Sequence, residues 1–295
     1  MVIVVLSGGL GSQLWQYSTG MSLANKKKCS LIVDAAWYNM KNKGFVDRRY
    51  LNFFELVDIK KKIIIKNIHL SRILRAFLIL LDTISFGLIK YKKINISNPF
   101  KFEEITEGSN FFINGYPNNF NYFKDSYLDT LKSIKIDRIN SKKIKIGLHA
   151  RKGIDVQDFV IDFCNKDYYV RAVDKIIQQN NLDPKDVEIN VFSENKQWCI
   201  ENLLFKNIDT KIIIGDDKNA IDDMKMMMQC DHFVLPNSSF GWWAGAYVGY
   251  INKGTVVCPD LWWDRVSVKK FDVYPSSWVI LETKFPENKN PMFQA

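Results

Sequence analysis

From residue 144 onward, short apolar runs rich in β-branched residues alternate with helical stretches, and that alternation leaves few folds open. IKIGLH (144–149), VEINVFS (187–193), KIIIG (211–215), HFVLP (232–236) and TVVCP (255–259) read as strands. Between them lie a helix expected to start near Asp167 and run through YYVRAVDKIIQQ, and further helices over 195–205, 219–230 and 240–250. Strands separated by helices cross over and run parallel, so the pattern predicts a parallel, doubly wound α/β sheet. The N-terminus opens in the same way. Val2–Leu6 is a strand, Gly8, Gly9 and Gly11 a turn, Leu14, Tyr17, Met21 and Ala24 recur at helical spacing, and a second strand ends at Asp34. FFINGYP adds another strand, whereas residues 40 to 110 show little order. The polar stretch SIKIDRINSKKIK divides the chain into two facing α/β domains, 1–140 and 141–295. In such sheets ligands bind beyond the carboxyl ends of the strands, so chemistry belongs in the loops that follow them.

Charge is unevenly placed between those halves. Residues 1–140 carry 21 basic and 11 acidic side chains, residues 141–295 carry 20 and 21, and the chain of 295 residues has a net charge of +9. Much of the excess is local: Lys60, Lys61, Lys62, Lys66, Arg72, Arg75, Lys90, Lys92 and Lys93 face one acid, Asp82, and bracket an apolar run from Ala76 to Ile89. The run is too short and interrupted to span a bilayer. It reads either as a buried helix with a solvated basic rim or as an interfacial contact with anionic lipid through residues 60–93. Without an RNA-binding signature, and with the ordered half neutral, direct nucleic-acid binding is not expected.

Five cysteines without a CxxC motif read as buried thiols in a reducing compartment, and three histidines give little material for a metal cluster. The opening MVIVVLSGG has no basic n-region and no cleavage site. The expected location is the cytoplasm, with peripheral contact at the inner face of the plasma membrane, and no metal is expected.

Three loops have the composition to hold an anionic ligand. In SGGLGSQL (7–14), Gly9, Leu10 and Gly11 open a helix whose free amides favour negative charge. Read as a dinucleotide fingerprint it is incomplete, because Leu14 takes the third glycine's place, although Asp34 lies near where a ribose-binding acid would sit. HARKGID (149–155) follows a strand, so His149, Arg151 and Lys152 would project from its carboxyl end, and a guanidinium there is a bidentate partner for phosphate. In PNSSFGWWAGAY (236–247), Asn237 and Ser238 can cap a helix whose amides, with Ser238 and Ser239, would hold an anion. Two adjacent tryptophans are not expected to face one core, so either one of them or Phe240 would stack on a base or sugar. Less specific are Asp222 and Asp223, which could accept hydrogen bonds from guanine, and Glu194 in FSEN, a candidate base at a strand end.

Taken together, GGLGSQLWQY, HARKG, VFSEN followed by Trp198, and DMKMMMQCDHFVLPNSSFGWWAGAY resemble the bacterial alpha-1,2-fucosyltransferases of glycosyltransferase family eleven, in order and approximate spacing. The resemblance implies a GT-B-type fold of two facing Rossmann-like domains, GDP-L-fucose as donor, a galactose-terminated glycan as acceptor at its 2-hydroxyl, inversion at the anomeric carbon, and no metal. It further implies that Arg151 binds the diphosphate and His149 supports that loop. Ser238, Ser239 and Phe240 would hold the phosphate and guanine end, Asp223 would lie at the guanine, and the glycine loop with Gln13 would approach the donor across the cleft. Where the family loop usually reads HxRRGD, this chain has Lys152 for the second arginine and Ile154 for the acid, with Asp155 one residue later. Either Asp155 or Glu194 is then the candidate base. Two rivals remain at this level: an NAD-binding oxidoreductase built on the glycine loop and Asp34, and a non-enzymatic glycan- or membrane-binding module.

Overall fold

The computed structural model describes the chain except residues 40–50, 52, 58–62, 87, 96–109, 138–140, 153–162, 216–219, 264–265, 268–271 and 284–295. The chain divides into two compact units, Met1–Lys135 and Ile136–Ala295.

In the first unit, β1 (Val2–Val5), α1 (Leu10–Lys26) and β2 (Leu31–Asp34) form the expected βαβ unit, with Val2 opposite Leu31 in parallel register. Then follow a single helical turn, α2 (Phe53–Leu56), β3 (Ile63–Ile65), α3 (Ile68–Ile84), β4 (Tyr91–Asn95), β5 (Asn110–Asn114) and α4 (Tyr127–Ser133). The described strands form one parallel sheet in the order β3-β2-β1-β5-β4. The middle strands are buried on both faces, which is why they read as continuous apolar runs. Helix α3 occupies the stretch that looked irregular. It starts at Ile68 because Asn67 caps it, its Oδ1 accepting from the amides of His69 and Leu70.

The second unit contains β6 (Ile144–His149), α5 (Lys166–Gln179), β7 (Val187–Ser193), α6 (Lys196–Asn202), β8 (Asp209–Ile214), α7 (Ala220–Met228), β9 (His232–Val234), α8 (Ser239–Tyr250) and β10 (Val256–Pro259). A short antiparallel pair, β11 (Leu261–Trp263) with β12 (Val266–Ser267), and a last strand β13 (Val279–Leu281) complete it. The sheet order is β13-β10-β9-β6-β7-β8, all parallel. Counted from β6, that is the doubly wound 3-2-1-4-5-6 order of a dinucleotide-binding fold, whose direction of winding reverses between β6 and β9. The expected α/β class and parallel strands are therefore present in both units. Helix α5 is capped by Asn165, whose side chain accepts from the Tyr168 amide; Asp167, expected as the cap, sits in the first turn and pairs with Arg171 at 2.9 Å.

The tryptophan expectation fails. Trp242 and Trp243 are both fully buried, their rings 5.2 Å apart at 71°. Adjacent residues on a helix point about 100° apart, and both can be buried only when the helix is enclosed on more than one side. Helix α8 is such a helix: every residue from Gly241 to Val248 is buried. The Trp242 indole also donates to the Val273 carbonyl at 3.0 Å and packs on Trp278. Trp242→Phe should therefore lower unfolding free energy by about 1–3 kcal/mol, through lost volume and an unpaired carbonyl. Urea denaturation should show the midpoint falling at unchanged slope; an unchanged midpoint would mean that the indole does not hold α8 in place.

Candidate functional site

The reversal point of the second sheet brings two of the three loops together. β6 ends at His149 and β9 is followed by Pro236, Asn237 and the N-terminus of α8, and the two strands are hydrogen-bonded neighbours. His149 is buried, its ring lies 5.8 Å from that of Phe240 at 63°, and its Nδ1 is so near Gly241 that a Cβ there would stand 2.7 Å away. Only glycine lets the first turn of α8 close over the imidazole. Among the described residues, that Nδ1 has no hydrogen-bond partner. Burial, and then the nearby Arg151 charge, push the His149 pKa down to about 3, and the positive end of the α8 dipole acts in the same direction. The imidazole is thus neutral at physiological pH, and Arg151, beside it in the loop, is half-buried.

Ser238 caps α8: its Oγ accepts from the Gly241 amide at 3.5 Å. Ser239 and Phe240 are half-buried in the first turn. Asn237 is held from behind, its Nδ2 donating to the Trp262 carbonyl at 3.2 Å. The Leu235 carbonyl is held by the Tyr168 hydroxyl at 2.7 Å. These props come from α5 and from the β11 segment, neither of which loop composition alone could reveal. The only sequence signal was the density of aromatic residues in LWWD and SSWV.

Further along the same carboxyl edge, Glu194 is exposed after β7, and Asp223 sits in the first turn of α7 with its Oδ2 over Gly215, which follows β8. Asp223, Glu194, Arg151 and the Asn237–Phe240 group thus follow β8, β7, β6 and β9, in that order across the sheet. Asp155 lies outside the described residues.

Lys152 is placed differently from its neighbour. It is buried, its Nζ donates to the Cys164 carbonyl at 2.8 Å, and it lies 4.1 Å from the centre of the Trp198 ring and 5.9 Å from that of Tyr169. Its charge is directed into the packing of α5 and α6, not along the edge of the sheet. Arginine's fork would not fit this point contact as well as an ammonium does.

In the first unit, Gly9 is the N-cap of α1, with no side-chain cap bond, and Leu10 and Gly11 form its first turn. Gly8 takes the left-handed conformation, φ +74°, that lets the strand turn into the helix. Gln13 is fully buried: its Nε2 donates to the Gly8 carbonyl and its Oε1 accepts from the Phe53 amide. It shapes the glycine loop from within, and in this placement it presents no surface to a ligand. Gln16 and Tyr38 complete the latch, Gln16 bonding Ser7 and Gly115, and the Tyr38 hydroxyl bonding Gly8. Asp34 is also enclosed, accepting from the Ala36 amide and the Ser71 hydroxyl. Both carboxylate oxygens are satisfied internally, which removes the ribose acid on which the oxidoreductase reading stood.

Among the described residues no group of three or more His, Cys, Asp or Glu is placed to hold a metal ion, and no helix is long and apolar enough to cross a membrane. Among the described residues there is no disulfide; Cys164, Cys199, Cys230 and Cys258 are buried, and Cys29 is partly so.

Two parallel α/β units, the second a doubly wound sheet in the 3-2-1-4-5-6 order with serine, glycine and arginine loops at its reversal point, define a Rossmann-like α/β architecture. Residues 4–282 match the model of glycosyl transferase family 11, and the chain belongs to that family. The alpha-1,2-colitosyltransferase of Escherichia coli is 27% identical over 304 residues, covering 96% of this chain and 99% of that protein. The O-antigen biosynthesis glycosyltransferase WbnK of Escherichia coli is 29% identical over 317 residues, covering 94% and 99%. Among solved structures, the fucosyltransferase NodZ from Bradyrhizobium superposes with a TM-score of 0.48 at 15% identity over 82% of this chain and 91% of that one. The ADP-heptose lps heptosyltransferase II of E. coli gives 0.46 at 10% identity over 95% and 89%. The strand order above, not these distant superpositions, carries the fold.

Because the folded His149 pKa lies below its unfolded value near 6.5, the native state binds fewer protons than the unfolded state at acid pH. This residue therefore costs stability as pH falls below about 6.5, by about 1.4 kcal/mol per pH unit until the folded pKa is reached. His149→Gln removes that contribution. The unfolding free energy of wild type minus that of the variant should fall steadily between pH 6 and pH 4; a difference independent of pH would show that His149 titrates normally in the folded protein. Gly241→Ala should lower stability by about 1–3 kcal/mol in thermal or urea unfolding, since the imidazole or the helix must give way.

Proposed function

We propose that this glycosyltransferase moves L-fucose from GDP-β-L-fucose to the 2-hydroxyl of a terminal galactoside, with inversion, in the assembly of a surface polysaccharide such as an O-antigen. The observation that carries the reading is the placement of Arg151 and the Ser238–Phe240 turn at the reversal point of a 3-2-1-4-5-6 sheet in a chain of this family. The 1,2-linkage and the O-antigen context are what the two E. coli relatives are named for.

In this reading the guanidinium of Arg151 and the free amides of α8 take the diphosphate, with the hydroxyls of Ser238 and Ser239 beside them. From β9 to β8 is three interstrand spacings, about 14 Å, a span suited to an extended nucleoside diphosphate. Asp223 at the β8 end then meets the guanine, its carboxylate accepting from the amino and imino groups. The acceptor oxygen attacks the anomeric carbon from the face opposite the phosphate. The bond from that carbon to the diphosphate oxygen breaks, GDP leaves with the electron pair, and the acceptor's proton passes to a carboxylate, Glu194 or Asp155. The nucleotide is already a good leaving group, so the protein's contribution is positioning and neutralising charge as the bond lengthens, without a resident metal. The galactoside is the partner on the acceptor side.

The similarity to a colitosyltransferase favours one second reading, in which the donor sugar is colitose, fucose lacking its 3-hydroxyl. A site that hydrogen-bonds the 3-hydroxyl would discriminate strongly against the deoxy sugar, whereas one that merely encloses it would discriminate little.

Isothermal titration in EDTA against GDP, GDP-fucose, GDP-colitose, GDP-mannose and NAD tests the donor. Binding of GDP and GDP-fucose is the expected result; binding of NAD alone, or of no nucleotide, overturns it, and a clear preference for GDP-colitose moves the assignment to the second reading. Arg151→Ala should lower turnover of the GDP-sugar by about 100-fold or more, while Arg151→Lys, which keeps charge but loses the fork, should fall between. Wild-type turnover in Arg151→Ala would remove Arg151 from the site.

A further inference from the structure

Helix α3 buries one stripe and leaves another uncovered. Its inner stripe is Ser71, Leu74, Leu78 and Leu81: Ser71 donates to the Asp34 carboxylate, while Leu74, Leu78 and Leu81 pack with Ile3, Ile32 and Phe112. Arg75 is drawn to the same side, its guanidinium donating to Ser71 at 2.8 Å and lying 4.7 Å from the centre of the Phe112 ring. Beside this stripe, Leu70, Ile73, Phe77, Leu80 and Ile84 recur at alternating intervals of three and four residues, and each is more than half exposed. The stripe runs on into the turn that ends the helix, where Phe86 is 98% and Leu88 86% exposed. Phe86 also holds a left-handed φ of 50°, unusual for a bulky side chain, and the fold gives its ring no cover in return. An uncovered apolar surface of this extent marks a place of contact.

Charge decides what makes that contact. Lys66, Arg72, Lys90 and Lys93 are exposed in the same segment, Lys93 on the face of β4 that α3 packs against, and the acid in this segment is Asp82. A second copy related by a two-fold axis would set this basic rim against itself. We infer that the α3 face and the Phe86–Leu88 turn are a membrane-docking surface, lying in the headgroup region of a bilayer rich in anionic lipid. The apolar stripe enters the acyl boundary and Lys90 and Lys93 meet the headgroups, the arrangement of an interfacial helix. With no helix among the described residues fit to span a membrane, the attachment is peripheral. It would bring the enzyme to an acceptor carried on lipid, but it stands on the surface of the first unit and does not depend on the donor assigned above.

Flotation of the full-length protein with vesicles of phosphatidylcholine, with and without phosphatidylglycerol, tests it. Wild type should float with the anionic vesicles. Phe86→Ser/Leu88→Ser and Phe77→Gln/Leu80→Gln should each reduce that partition at least tenfold. Lys90→Gln/Lys93→Gln should reduce it by roughly 30-fold, leaving the weaker partition onto neutral lipid unchanged. Thermal unfolding establishes that each variant is folded, and turnover of a soluble galactoside should stay at the wild-type rate in all three. Failure of wild type to float with anionic vesicles overturns the inference. So does a dimer in sedimentation velocity that Phe77→Gln/Leu80→Gln converts to monomer, because the face would then be covered by a second copy. A chain that floats but turns over no GDP-sugar would sink the donor reading and leave the docking surface standing.

Discussion

One packing contact sets the geometry of the second unit's edge: the His149 imidazole beneath the first turn of α8. The turn can approach because Gly241 has no side chain, and the ring stays neutral because it is buried beside Arg151 at the positive end of a helix. A charged histidine there would add a second cation under the amides and expand the turn. Keeping it neutral leaves a single guanidinium on the loop and lets the helix end stay close to β6. The cost is a buried ring nitrogen without a partner among the described residues, the kind of local unfavourable term that folds retain where geometry matters more than stability.

The contact holds only because its neighbours are fixed from behind. Tyr168 reaches across from α5 to the Leu235 carbonyl, Asn237 bonds the Trp262 carbonyl, and Trp242 bonds that of Val273. Each is a buried polar group meeting a backbone carbonyl from a different part of the chain, so the loop after β9 is tied to three separate segments. Lys152 does similar work on the other side of the strand end, pinning the loop after β6 to Cys164 and Trp198. Adjacent residues in HARK thus divide their roles, with Arg151 left at the edge and Lys152 drawn into the packing.

Most of the strands that were legible in the sequence lie inside the sheets. VEINVFS and IKIGLH are rich in buried β-branched residues and their bounds read directly, and the polar interruptions of the first, Glu188 and Asn190, are buried and hydrogen-bonded to each other. Among the edge strands β8 read from KIIIG, whereas β3, β4 and β13 did not. Tyr91–Asn95, with two lysines, has no apolar alternation, and its pairing with β5 supplies what its side chains do not. Helix α8 misled for a related reason: an adjacent pair of tryptophans reads as one inward and one outward when a helix is taken to be covered on one side, and this helix is covered on several. The site loops themselves were legible, since glycine, serine and basic residues after strands carry their chemistry locally. Their supports were not, because Tyr168, Trp262 and Val273 are distant in sequence and carry no motif.

The uneven charge of the chain fits a division of labour between short and long range. The second unit is nearly neutral, so whatever holds an anion there must be local: one guanidinium and the amides of one helix end, which act within a few ångströms and in a partly desolvated edge. The excess of the first unit lies instead on exposed lysines, where each pair interaction is weak and screened by salt beyond about 8 Å. Such charges contribute little to stability or to the recognition of one small molecule. They act together on an extended surface of opposite sign, where attractions too small to matter singly add across many headgroups. On the proposed readings, a basic rim beside an uncovered apolar stripe serves an extended surface, and a nearly neutral unit with one arginine at its reversal point serves a single diphosphate.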